Sequence, residues 1–225
     1  MRRSRVYLGI SILSLVIGVG IARSTEHRRQ SCRERAPQQQ QLNFQQLYEE
    51  AIAGNDKAAI ATAERLLESN PRHQEALLFY GYALRGDGRH ADAEEAYSRV
   101  LKPRKRHVDT WILIDAYTGR AAARIGLGDI PGADQDLSEA MRLANLREQK
   151  HRDQTSAYQL ACVHAQLAVV YEHLKGRHTA ALERSRAVDW LLKARKRGYS
   201  NDRHMRNDRD LAPLHTYPDY LAIFG

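Results

Sequence analysis

The sequence predicts an all-α protein: a solenoid of about four helix hairpins closed by a C-terminal cap, preceded by an apolar segment that reads as a transmembrane helix. Three observations carry this. Beyond residue 42 the chain has no β-rich run, only Ala- and Leu-rich stretches at helical spacing, separated by short Gly or Pro punctuation. Gly54, Gly88 and Gly128 are each followed five residues later by an alanine (Ala59, Ala93, Ala133). Finally, the seventeen residues 6–22 carry no charge, the low edge of what spans a bilayer.

From the N-terminus, residues 1–5 form a basic n-region and residues 6–22 a membrane anchor or signal peptide. Gly20 and Ala22 are small at the positions a signal peptidase reads, so cleavage after Ala22 is the alternative to an uncleaved anchor. Arginines flank the apolar run on both sides, and the near balance leaves the side of the membrane unassigned by the positive-inside rule. Residues 23–41 read as a polar, Gln-rich linker that has too little apolar surface to offset its ordering entropy. The net charge of +8 belongs mainly to this region: eight arginines against Glu26 and Glu34 give residues 1–35 a net of +6 and leave +2 for the rest. A basic groove for nucleic acid is not the reading of that distribution. Cys32 and Cys162, one in a polar stretch and one in an apolar helical run, suggest neither a disulfide framework nor a metal cluster.

The repeat occupies residues 42–198. Four residues after each alanine stand Ala63, Tyr97 and Leu137, and three further on Leu66, Val100 and Ala140. The first two units are 34 residues apart and the third follows after 40. Each unit reads as two antiparallel helices: the glycine permits the turn, the alanine lets the helices approach closely, and the larger residue fills the space between units. The six extra residues of the third unit are placed in 102–108, KPRKRHV. The units are assigned as 42–73, 74–107, 108–147 and 154–198. The fourth is recognised by Ala187, Leu191 and Ala194, with an extended loop around 172–179 between its helices. Residues 199–225 form the cap, with Leu211, Leu214, Tyr217, Tyr220, Leu221, Ile223 and Phe224 as the apolar supply and Pro213 and Pro218 as helix breaks.

On these residues the chain resembles the tetratricopeptide repeat family. Gly81, Leu84, Gly88, Ala93 and Tyr97 of the second unit stand at the family's signature positions. Ala59, Leu66 and Asn70-Pro71 match in the first unit, and Tyr117, Ala121, Gly128, Ala133, Leu137 and Ala140 in the third. The tail, Gly198-Tyr-Ser to Leu221, resembles the end-of-group segment of bacterial, planctomycete-type members. The resemblance implies a right-handed superhelix whose first helices line a concave groove that binds a protein or peptide. Its groove positions fall here on Phe44, Tyr48, Glu75, Leu78, Tyr82, Arg85, Thr118, Ala122 and Tyr158. The Lys/Asn pattern with which some members clamp a C-terminal carboxylate is not present.

No catalytic signature stands beside it: GxGxxG, GxxxxGK[ST], HExxH and GxSxG are all missing, and the ten histidines are dispersed. Asp134, Asp136 and Glu139 read as the solvated face of a helix, and Lys193, Arg195 and Arg197 as cations complementing a helix C-terminus. The expectation is therefore a non-enzymatic, membrane-tethered scaffold or adaptor at a bacterial inner membrane, without cofactor, metal, nucleic acid or small-molecule substrate. The alternatives are a cleaved, periplasmic or secreted binding protein and a regulatory subunit acting in trans on an enzyme such as a kinase. N-terminal sequencing of the mature chain separates anchor from signal peptide: Met1 is the expected start, and a start at Arg23 would rule the anchor out.

Overall fold

The computed structural model describes residues 43–102 and 108–224, which from Phe44 onward belong to a compact unit spanning Phe44–Gly225. The apolar run 6–22, the linker 23–41, Cys32 and residues 103–107 of the inserted segment lie outside the described residues. Among the described residues no helix is long and apolar enough to cross a membrane.

Helix α1 covers residues 43–52, followed by α2 (Asp56–Ser69), α3 (Gln74–Gly86), α4 (His90–Leu101), α5 (Thr110–Leu127), α6 (Ile130–His151), α7 (Gln154–Leu174) and α8 (Arg177–Lys196). A tail of short elements comes after α8: α9 (Asp202–Asn207), a 3-10 helix (Arg209–Leu214), α10 (Pro218–Leu221) and a final 3-10 turn (Ala222–Phe224). The described residues hold no strand. Each helix packs on the next along the chain from α2 to α8, and the first helices of successive hairpins also pack on one another, α3 on α5 and α5 on α7. This is a stacked array of helix pairs, as the spacing predicts.

The hairpin turns share one device. Gly54, Gly88, Gly128 and Gly176 all have φ between 78° and 84°, a region a Cβ would penalise, and the second helix begins one or two residues later. Ala59, Ala93, Ala133 and Ala180 each stand three residues inside α2, α4, α6 and α8, and all four are fully buried. The fourth unit differs from its expected form here. Residues 172–179 are not an extended loop: α7 runs to Leu174 and α8 starts at Arg177, so Gly176 is the fourth turn glycine. Its alanine comes four residues later, not five, which puts the exposed Ala181 at the expected spacing and hides the match. The extra length of the third unit is shared between the connection from α4 to α5, eight residues where the other helices are joined by two to four, and α5 itself, 18 residues against 13 in α3.

Tyr97 shows how the units interlock. Its ring is 1% exposed and lies against two glycines, Gly81 on its own unit's α3 and Gly119 on the next unit's α5. A Cβ at Gly81 would come within 2.9 Å of the ring, and one at Gly119 would overlap Cζ, Cε1 and Oη. The core is continuous because α5 and α7 each serve two clusters: Ile112, Ala116 and Ala123 join the first two units, Ile114 and Ala121 join α6 and α7, and Ala157, Ala161 and Ala165 join α8 and the tail.

Ion pairs reinforce the boundaries. Asp136 is 3% exposed, not solvated as the sequence suggests, because Arg120 grips it with two hydrogen bonds (2.9 and 2.7 Å) and Arg124 adds a third at 3.0 Å while also reaching Glu94. Likewise Arg197 is more than a helix-end cation. It pairs with Glu148 on α6 through both its Nη atoms (2.8 and 2.7 Å) and donates to the Asp153 carbonyl.

Gly119→Ala should destabilise the chain by about 1–3 kcal/mol through overpacking against Tyr97, outweighing a helix-propensity gain of about 1 kcal/mol. A urea denaturation midpoint lower than that of the unsubstituted chain checks the sign.

Candidate functional site: the first-helix face and the tail

The face lined by α3, α5 and α7 is built from residues one helical turn apart. Tyr158, Cys162 and Gln166 form one row on α7 at i, i+4 spacing, and Tyr82 and Arg85 form another on α3. Against this face lies the tail, whose first 3-10 helix packs on α7 and α5. The cap expected from the sequence therefore also enters the first-helix face. Met205, Leu211, Leu214 and Tyr220 are buried in one cluster with Ala157, Ala161, Ala165, Ala187, Val188, Leu191 and Ala194 of α7 and α8. Of the apolar residues expected in the cap, Tyr217, Ile223 and Phe224 pack partly, and Leu221 remains 52% exposed.

Three consecutive tail residues make the polar contacts. Tyr158 Oη donates to Asp208 Oδ2 at 2.7 Å, and the Cys162 thiol lies 3.8 Å from the same oxygen. The Arg209 amide donates to Tyr82 Oη at 3.2 Å, its guanidinium lies over the Tyr82 ring at 4.8 Å, and its Nη2 reaches both oxygens of Asp56 at 2.7 Å. Asp210 forms an ion pair with Arg85 at 2.7 Å, and its carbonyl accepts from Gln166 Nε2 at 2.8 Å. A Cβ at Gly86 would collide with the Arg209 guanidinium and with Asp56, so the bare end of α3 leaves the space the pair occupies.

The expected groove residues thus separate into two groups. Tyr82, Arg85 and Tyr158 converge on residues 208–210. Phe44 and Tyr48 instead join an aromatic cluster with Phe79 and His73, and Glu75 pairs with His73 at 3.3 Å. Leu78 is 5% exposed and belongs to the core. Thr118 is buried with its hydroxyl donating to the Ile114 carbonyl at 2.8 Å, and Ala122 is half-buried.

Sequence reasoning missed Asp56, Asp115, Gln159, Cys162, Gln166 and the Asp208–Asp210 triplet. Two signals were available. Asp115 stands three residues before Thr118 as Glu75 stands three before Leu78, and Cys162 and Gln166 continue the helical row from Tyr158. Nothing local in the sequence places the triplet, because its contacts span 44 to 153 residues.

Electrostatics make the interface costly to separate into charges. Burial is the largest influence on both Arg85 and Asp210. In Arg85 Asp210, Tyr97 and Tyr82 together overcome it and hold the guanidinium above its ordinary pKa; in Asp210, burial with Asp208 close by prevails over Arg85 and pushes the carboxyl up. Burial also raises Tyr158 and Cys162 well above their usual values, with Asp208 adding to both. On α5, burial pushes the Asp115 carboxyl up to about 7 against the hydrogen bond from Gln159 Nε2 (2.7 Å), with Asp210 and Asp208 adding to the rise. Among the described residues no group of three or more His, Cys, Asp or Glu is placed to hold a metal ion.

No family model matches the chain, and no curated protein matches it. Among solved structures it is similar to a crystal structure titled MamA protein, at 16% identity with a TM-score of 0.39, over 72% of this chain and 96% of that one. A second MamA crystal structure is similar at 17% identity with a TM-score of 0.36, over 66% and 95%.

A carboxyl whose folded pKa lies above its unfolded value binds its proton more tightly in the fold, so its contribution is greatest at low pH and is lost as pH rises from about 4 to about 7. Asp115→Asn should therefore raise stability at pH 8 by on the order of 2 kcal/mol, discounted for the partial exposure of the residue. At pH 4 it should change little. Melting curves of both chains across this range check it.

Proposed function

We propose that this chain is a protein-interaction scaffold of the tetratricopeptide type, tethered to a membrane by residues 6–22, which receives a partner segment on the face formed by α1, α3, α5 and α7. The single observation that supports it most is that this face already holds a segment from far along the chain: Tyr82, Arg85, Tyr158 and Gln166 engage both the backbone and the acidic side chains of residues 208–210. A peptide-binding site needs that combination. Main-chain hydrogen bonds supply affinity and side-chain pockets supply selectivity. The Phe44, Tyr48, Phe79 and His73 cluster adds an aromatic surface at the other end of the face, and Tyr48 is 36% exposed there.

The test is a comparison of co-purifying proteins from native cells between the unsubstituted chain and the Tyr48→Ala, Tyr82→Ala and Arg85→Ala variants, each first shown by its melting curve to be folded. The expected result is loss of the same partners from the folded variants. An identical partner set across all of them would sink the groove reading. Arg85→Ala leaves Asp210 without its counter-charge and should itself cost about 3 kcal/mol or more, so Tyr48→Ala keeps the test readable if that variant unfolds.

A further inference from the structure

The polar triplet Asp208-Arg209-Asp210 and the leucines after it are seated the way a bound ligand is seated. Every side-chain donor that the face directs at them has a tail acceptor: Tyr158 for the Asp208 carboxylate, Arg85 for the Asp210 carboxylate, Gln166 for the Asp210 carbonyl. Two acceptors complete the set: Tyr82 Oη takes the Arg209 amide, and the Asp56 carboxylate takes its guanidinium. Leu211 and Leu214 then enter the apolar row of α7 and α8, on one side of the 3-10 helix. The segment reaches this place from an eleven-residue connection after α8 whose first part, 197–201, is turn and irregular backbone and whose second is the short α9. Arg85 is 8% exposed and Tyr158 7%, so with the tail in place the two principal donors are closed to any other ligand.

We infer that the face is a receptor for segments of the form acid–Arg–acid–Leu, and that residues 208–214 of the chain itself occupy it until a partner carrying that pattern displaces them. The inference rests on the scaffold reading above and names the partner's chemistry. Charge argues for an acid–Arg–acid ligand: the donors Arg85, Tyr158 and Gln166 suit carboxylates and a carbonyl, Asp56 suits the guanidinium between them, and a wholly basic segment would meet Arg85 uncompensated. Covalent attachment argues for competition. A tethered segment acts at a high local concentration, so a partner of equal intrinsic affinity loses to it unless the tail is weakened or the partner adds contacts elsewhere, as on the aromatic surface around Tyr48.

The experiment uses the full chain and a labelled peptide of residues 204–216, HMRNDRDLAPLHT. Binding is measured by fluorescence anisotropy to the unsubstituted chain, to Asp208→Asn/Asp210→Asn, and to that double variant with Arg85→Gln added. The double variant should bind the peptide about tenfold or more tightly than the unsubstituted chain, because apparent affinity scales with the fraction of empty sites. Arg85→Gln should abolish the gain, and a peptide carrying D208N and D210N should bind no variant. A folded double variant that ignores the peptide overturns the inference.

A second form guards against misfolding: a protease site inserted between Ser200 and Asn201 frees the tail after folding. Exchange of the cut tail for labelled peptide with the helical signal retained supports the inference. A tail that never exchanges, or helices that melt on its release, makes it an integral part of the fold and overturns the inference, as does a dimer formed by exchanged tails. If the peptide binds but the co-purifying partners ignore Tyr82 and Arg85, the scaffold reading fails alone. If partners depend on those residues and the peptide does not bind, only the acid–Arg–acid–Leu assignment fails.

Discussion

A helix hairpin with a tight turn covers only part of its apolar surface, and the remainder must be buried against a neighbour at a distance set by the smallest side chain at the crossing. In this chain that distance is set by alanine. Ala59, Ala93, Ala133 and Ala180 sit one turn into the second helix of each pair, all fully buried. Where the backbones approach most closely, a single large residue fills what the small ones leave: Tyr97 lies against Gly81 and Gly119, locking two units with one ring. Interiors at such packing density transmit strain, so the positions of α3, α5 and α7 follow from these contacts. The first-helix face exists because of them.

Charge is used at the boundaries that apolar packing does not finish. Arg120 and Arg124 bring Asp136 into the α5–α6 contact and tie it to Glu94 of the preceding unit. Arg197 at the end of α8 holds Glu148 of α6, which also accepts from Ser156 at the start of α7. Each of these arginines makes several hydrogen bonds at once, the geometry in which a guanidinium outperforms an ammonium. Arg197 makes two to Glu148 of the preceding unit, and Arg120 and Arg124 make bonds inside their own unit plus one each to Ser98 and Glu94 of the unit before.

The tail serves two purposes with one segment. Its leucines and Met205 cover the α7–α8 surface that has no fifth unit to bury it, and its Asp208-Arg209-Asp210 triplet turns inward across α7 and α3 as far as Asp56 at the start of α2. Arg195 anchors the far end by donating to the Ile223 carbonyl at 2.7 Å. A cap that needed only apolar burial would not require three buried or half-buried charged residues in a row, and their burial is tolerable only because the face supplies a partner for each.

The sequence by itself determined the helical repeat. Glycine at a positive-φ turn and alanine at a close crossing are requirements of local geometry, so they recur at fixed spacing and can be counted without coordinates. Nine repeat positions, from Ala59, Ala63 and Leu66 to Ala133, Leu137 and Ala140, are all buried. The turn of the fourth unit is not legible in this way, because one residue fewer between Gly176 and Ala180 moves the phase. Helical periodicity misplaces Asp136 because it sets a residue at an angle, not against a neighbour, and only the neighbouring α5 supplies the two arginines that bury it. Only the tertiary structure decided that Tyr82, Arg85 and Tyr158 of the expected groove meet the chain's own residues 208–210. Contacts between residues 50 to 127 positions apart depend on how the hairpins stack, and no local spacing records that.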